Sequence, residues 1–212
     1  MADSDLNLRS ALVCDALDAL GLRSQCLGGR PAPLTSGMRA VGTALPLATV
    51  VVDAVPDVPY RGLLAALDAI PRGAVIVIGA QGRDDVAIWG ELLSTMCVAR
   101  GARGAVCDGA IRDASEIRAL GFPVFARGTV AYDINGRLEV VDHRSPIHVG
   151  GVEVAPGDLI VADDDGVVVV PIAAIDEVLT RVATKSQVEG AFLAAIREGA
   201  LPSEAFERFR VL

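Results

Sequence analysis

The chain has 212 residues, 52 % of them apolar and 22 % charged, with a formal charge of −8. This composition predicts one globular domain over residues 1–212 and excludes a disordered chain. The acidic balance, with only five Phe, two Tyr and one Trp, argues against nucleic acid as a partner.

The longest apolar runs fall far short of the ~20 residues that cross a bilayer. The acidic start Met1-Ala-Asp-Ser-Asp5 has no apolar core behind it, so a cytoplasmic protein without membrane contact is expected. Cysteines stand at 14, 26, 97 and 107 among apolar neighbours, without a CxxC pair, which predicts reduced, buried thiols. A single lysine, Lys185, lies in a polar helical stretch, where an exposed ammonium is expected. Schiff-base catalysis needs a desolvated lysine and is disfavoured.

In chain order, residues 8–20 repeat apolar positions at helical spacing up to Gly21. Residues 40–52 read as a strand, 57–70 as a helix ended by Pro71-Arg-Gly73, and 74–78 as a strand buried on both faces. After the loop Gly79–Asp85 come a helix over 89–100, a strand over 104–107, a helix over 114–120 and a strand over 123–126. That alternation predicts a parallel segment. Residues 131–171 read as short strands and turns. The last forty residues are helical, with Ser203 expected to cap the final helix.

Most motifs in the chain carry little chemistry. Gly79-Ala-Gln-Gly82 lacks the third glycine and the acidic partner of a dinucleotide fingerprint. Gly90-Glu-Leu-Leu93 reads first as a plain helix start, whose free N–H groups could alternatively hold a small anion. Asp163-Asp-Asp-Gly166 reads as a turn between strands and not as a calcium loop. His143 and His148 have no thiolate or evident carboxylate partner for zinc.

The stretch Gly109-Ala-Ile-Arg-Asp-Ala-Ser-Glu116 is different, because Arg112 and Asp113 stand side by side. Two readings fit the pair. Asp113 with Glu116 matches a capping box. Alternatively, the pair follows the end of a strand in a parallel segment, where α/β proteins bind ligands. There a carboxylate can hold Mg²⁺ or Mn²⁺ and an arginine can clamp a carboxylate, the receptor a 2-oxo acid needs.

The blocks Trp89–Gly128 and Gly150–Pro171 resemble the 4-hydroxy-4-methyl-2-oxoglutarate aldolases, which share a fold with the regulators of ribonuclease E activity. The likeness covers nearly the whole chain. It implies a single-domain α/β/β sandwich of the swivelling-domain type with N- and C-terminal helices, assembled as a homotrimer or a dimer of trimers. It also implies a metal-dependent class II aldolase that releases pyruvate and a second oxo acid and decarboxylates oxaloacetate.

By that resemblance Asp113 ligates a divalent metal and Arg112 binds the pyruvyl group. Gly90 and the N–H groups of Leu92 and Leu93 complete the substrate pocket. Glu91 and, from a neighbouring subunit, Glu189 hold metal-bound water. Two departures stand out: Glu91 replaces a shorter Asp, and Cys14 replaces Ser or Thr. The ribonuclease regulators generally lack the aspartate of the Arg-Asp pair, which this chain retains. Two alternatives remain, a non-catalytic ribonuclease regulator and an enzyme of the same fold with another substrate.

Overall fold

A computed structural model describes residues 8–28 and 31–211. The acidic start Met1–Asp5, on which the cytoplasmic expectation rests, lies outside them. No helix among the described residues is long and apolar enough to cross a membrane.

Four strands form the parallel centre: β2 (Ala40–Val51), β3 (Ala74–Gly79), β4 (Gly104–Ile111) and β5 (Val124–Thr129). They lie in the order β5-β4-β3-β2, with Ile76 of β3 paired to Leu45 on one side and Ala105 on the other. The two-residue β1 (Ala32–Pro33) runs antiparallel to β5 at one edge. Beyond β2, β9 (Leu159–Asp163) and β10 (Gly166–Val170) continue the sheet antiparallel, and β6 (Leu138–Asp142) pairs with the far half of β2.

Strand alternation assigns β3 to two cores at once. Ile76 and Ile78 enter one core with α2 (Arg61–Asp68), α3 (Glu91–Arg100) and α4 (Ala114–Leu120). Val75 and Val77 enter a second core, closed by β9, β10 and the hairpin β7 (Ile147–Val149)–β8 (Val152–Val154). Both faces are covered, so the strand must be apolar throughout. The layers are therefore helix, sheet and β-structure, the α/β/β sandwich expected. A third cluster packs α1 (Ser10–Asp18) and the long α5 (Ile175–Arg197) on β9 and β10. The last helix, α6 (Pro202–Phe209), meets α5 through an edge-on Phe192–Phe209 contact.

Several expectations are corrected. The helix read from residue 57 starts at Arg61, because Val58 precedes a proline, which disfavours helical backbone, and Tyr60 is left-handed at φ 61°. β4 does not stop at Cys107 but runs to Ile111, with a register shift between Cys107 and Ala110. Ser203 does not cap α6: Leu201 occupies that position and Pro202 starts the helix. Cys97 and Cys107 are buried as expected, but Cys26 is exposed and Cys14 only partly buried.

The acidic run is a two-residue turn between β9 and β10, as read from sequence. The carboxylates of Asp163 and Asp164 are occupied by protein donors. Asp163 accepts the N–H of Ser10 at 2.8 Å and its hydroxyl at 2.5 Å, and Asp164 accepts the N–H of Gly37 at 2.9 Å. His148 lies on the hairpin, 3.9 Å from Glu153.

Two predictions follow from this packing. Alanine normally improves a helix by about 1 kcal/mol over glycine. At Gly62, however, a Cβ would fall 1.8 Å from the carbonyl oxygen of Val140 on β6. Gly62→Ala should destabilise by about 1–3 kcal/mol in urea unfolding; a gain would show that α2 does not press on β6.

Burial raises the thiol of Cys14 to about 11 and that of Cys97 to about 12, and pushes Cys107 up as well. A raised thiol stays protonated and unreactive below that pH. A disulfide reagent at pH 8 should modify one thiol rapidly, Cys26, and the others only on unfolding.

Candidate active site

A buried strap organises the C-terminal ends of the strands. Val86, Ala87, Ile88 and Trp89 are at most 3 % exposed. Ala87 bridges Ala110 of β4 on one side and Asp133 on the other. Its N–H donates to the carbonyl of Tyr132 at 2.7 Å, and that of Ile88 to Ala110 at 3.0 Å. The N–H of Arg112 returns to the carbonyl of Trp89 at 2.9 Å. The indole N–H of Trp89 donates to Ser94 Oγ at 2.9 Å, and that hydroxyl donates to the carbonyl of Gly90 at 3.1 Å. The strap thus delivers α3, beginning at Glu91, to the end of β4, where Arg112 and Asp113 stand.

Asp113 is left-handed at φ 56°, a conformation that costs a non-glycine residue about 1 kcal/mol or more. The expected capping box with Glu116 does not form. Asp113 makes no side-chain cap to α4, and Glu116 is held instead by Ser115 Oγ at 2.7 Å. The Asp113 Oδ2 accepts the N–H of Glu91 at 3.1 Å, so it caps α3, an earlier helix whose first residue lies 22 positions before it. Its Oδ1 has no protein partner among the described residues.

The first helical N–H groups have no partner within their own helix. Asp113 takes that of Glu91, and those of Leu92 and Leu93 have no partner among the described residues at the positive end of α3.

Arg112 Nε lies 3.7 Å from Asp113 Oδ2, and its Nη1 lies 3.8 Å from Asp133 Oδ1. Both separations exceed hydrogen-bond length, so the guanidinium donors are available to a ligand. Asp133 is fixed from its other side by the hydroxyl of Tyr60, whose titration is pushed up mainly by that bond, so the phenol stays protonated. These groups line a cleft of about 210 Å³ between α2 and α3. That is roughly seven water volumes, the scale of a small organic acid.

Of the residues singled out in the sequence, Arg112, Asp113, Gly90, Leu92 and Leu93 line this cleft. Glu91 is not among the lining residues; it is exposed and meets the site through its N–H, bonded to Asp113. Glu189 is not among the lining residues. It sits on α5, 3.0 Å from Arg9 and 3.9 Å from Lys185. Lys185 is not a free ammonium but is paired with Asp15 at 2.6 Å. Tyr60 and Asp133 were missed, because each reaches the site from a segment remote in sequence from Arg112. Among the described residues no three His, Cys, Asp or Glu side chains come together as a ready-made metal cage.

Comparison with known proteins decides the family. The Aldolase/RraA family, described as RraA-like, matches residues 10–169. The chain belongs to that family. It is 31 % identical over 204 residues to protein DlpA of Legionella pneumophila, covering 96 % of this chain but only 33 % of DlpA. The chain thus spans about a third of that relative's length. It is 36 % identical to a Halalkalibacterium halodurans protein provisionally named 4-hydroxy-4-methyl-2-oxoglutarate aldolase, covering 92 % of this chain and 87 % of that one.

Among solved structures, Streptomyces coelicolor RraAS2 is described as an unusual member of the RNase ES inhibitor RraA family. It superposes with a TM-score of 0.77 at 33 % identity, covering 87 % of this chain and 91 % of its own.

The Asp113 cap can be tested by stability. Asp113→Ala should cost about 1 kcal/mol in urea unfolding, and Asp113→Asn markedly less, since Asn caps helices and tolerates the left-handed region. An unchanged Asp113→Ala midpoint would remove the carboxylate from the α3 cap.

Proposed function

We propose that this cleft is the active site of a cytoplasmic aldolase. It splits a 4-hydroxy-2-oxo acid, such as 4-hydroxy-4-methyl-2-oxoglutarate, into pyruvate and a second oxo acid, and also decarboxylates oxaloacetate. The supporting observation is a convergence on one cleft: the Arg112 guanidinium, the open N–H groups of Leu92 and Leu93, and the unshared Oδ1 of Asp113.

A 2-oxo acid presents a planar carboxylate beside a keto oxygen. The arginine fork matches the carboxylate by two parallel bonds, and the helix N-terminus accepts its negative charge. Breaking the C3–C4 bond sends electron density towards the keto oxygen, and Arg112 stabilises it from a position fixed before reaction. Lys185, tied to Asp15 and away from the cleft, offers no Schiff base.

Asp113, with one free carboxylate oxygen, suits the water-rich sphere of Mg²⁺ or Mn²⁺, which needs only one or two carboxylates. Such an ion would polarise the keto oxygen as a Lewis acid. Glu91, and Glu189 of a neighbouring subunit in a trimer or a pair of trimers, would orient the surrounding water. The likeness to RraAS2 favours a second reading, a regulator that binds an RNA-processing enzyme and needs no metal.

The decisive assay is pyruvate release from 4-hydroxy-4-methyl-2-oxoglutarate and oxaloacetate, before and after chelation. Turnover should vanish in excess chelator and return with Mg²⁺; undiminished turnover would sink the metal-dependent reading. Arg112→Lys keeps the charge but loses the fork, so turnover should fall by about 100-fold. No turnover with any oxo acid, and a ribonuclease pull-down that survives Asp113→Ala, would support the regulator instead. For the shared site, inactive Asp113→Ala and Glu189→Ala chains should regain activity when dissociated and reassembled together. A fully active Glu189→Ala variant rules out sharing.

A further inference from the structure

Arg112 meets its carboxylates differently from most paired arginines in this chain. Arg9, Arg83, Arg100 and Arg181 close on Glu189, Asp85, Asp68 and Glu177 at 2.7 to 3.0 Å. Arg112 stands between two carboxylates and closes on neither, at 3.7 Å from Asp113 and 3.8 Å from Asp133. Opposite charges at that range attract, and a small side-chain rotation would join them. Each carboxylate is instead held back by another donor. For Asp113 it is the N–H of Glu91, 3.1 Å from Oδ2. For Asp133 it is the Tyr60 hydroxyl, which donates to Oδ2 and leaves Oδ1 towards the guanidinium.

Both ends of the Tyr60–Asp133 bond are anchored through the backbone. Tyr60 is left-handed at φ 61° where α2 starts, a conformation that an L residue adopts at a cost. Its carbonyl accepts the N–H of Leu64 at 2.9 Å. Two residues on, Gly62 lets α2 press on the carbonyl of Val140 in β6. Asp133 bridges Ala87 of the strap, and its carbonyl accepts Arg137 Nη1 at 2.9 Å. With both backbones fixed, only the Asp133 side chain is left to swing, and the phenol restrains it. Strain kept at a residue whose polar group faces a cleft is characteristic of functional sites.

We propose that Tyr60 is a positioning residue that acts through Asp133, given the reading of Arg112 as the receptor for the 2-oxo acid carboxylate. Its hydroxyl keeps Asp133 off the guanidinium, so the planar fork stays open for the incoming anion. Without the hydroxyl, Asp133 Oδ2 loses its partner and the carboxylate turns to the cation beside it. A ligand must then break a charge-assisted pair before it binds, which costs about tenfold in affinity. Neutralising Asp133 removes that competitor.

The probe is oxalate, a planar anion shaped like the enolate of pyruvate. It is titrated calorimetrically into wild type, Tyr60→Phe, Asp133→Asn and the double variant, at one fixed Mg²⁺ concentration so that chelation cancels between them. Tyr60→Phe should bind oxalate about tenfold more weakly. The double variant should return to within about threefold of Asp133→Asn alone, since the two sites act as one unit. With oxaloacetate as substrate, the loss in Tyr60→Phe should fall on KM more than on kcat, because the ligand-free enzyme carries the penalty.

Unchanged oxalate affinity in Tyr60→Phe overturns the inference. So does a loss that Asp133→Asn fails to rescue, the result expected if the hydroxyl only steadied α2. Should Tyr60→Phe not fold, Asp133→Glu decides: its longer arm reaches the guanidinium with the phenol intact, and it must weaken oxalate likewise. Wild type that binds oxalate but turns over no oxo acid removes the aldolase reading and leaves this inference standing. Wild type that does not bind oxalate removes both.

Discussion

The site depends on one short segment whose backbone is satisfied from both sides. Val86–Trp89 is buried, and a buried segment must pair its N–H and C=O groups or lose their solvation outright. Ala87 bridges Ala110 and Asp133, and Trp89 accepts the N–H of Arg112. Those bonds fix three things together: where β4 ends, where Asp133 points and where α3 begins. Asp113 then bonds the first N–H of α3, so the residue that could bind a ligand also fixes the helix end beside it. The close fit is visible at Gly90, where a Cβ would lie 2.6 Å from Asp113 Oδ2.

Arg112 illustrates how electrostatics and geometry divide the work. Two carboxylates stand just beyond hydrogen-bond distance of it, which holds the charge in place without consuming its donors. Tyr60 satisfies the far oxygen of Asp133, so that carboxylate is less free to swing onto the guanidinium. The open N–H groups at the start of α3 add a second positive element that no titration can remove. An anion entering the cleft meets donors already oriented, and the cost of ordering them was met during folding.

Much of the framework was legible along the chain. The all-apolar run Ala74–Ile78 has to be buried on both faces, and its position in a β-α-β-α-β order forces parallel neighbours. The Arg112-Asp113 pair was found because it follows a strand end. What misled was purely local pattern. Asp113 and Glu116 have capping-box spacing, but the Asp113 backbone turns left-handed and its carboxylate serves another helix. The strand was expected to end at Cys107, yet the strap gave it a partner beyond that point and β4 continued to Ile111.

The sequence by itself determined the elements, the double-sided burial of the central strands, and the family to which the chain belongs. These depend on periodicity, on side-chain polarity and on motifs of contiguous residues, all written locally. Only the tertiary structure decided which charges face one another. Tyr60, Arg112 and Asp133 meet because α2, β4 and the segment at 132–133 converge where the strap ends. It also decided that Glu189 pairs with Arg9 and Lys185 with Asp15 across α1 and α5. Contacts between distant segments depend on how layers pack, and no local spacing encodes that.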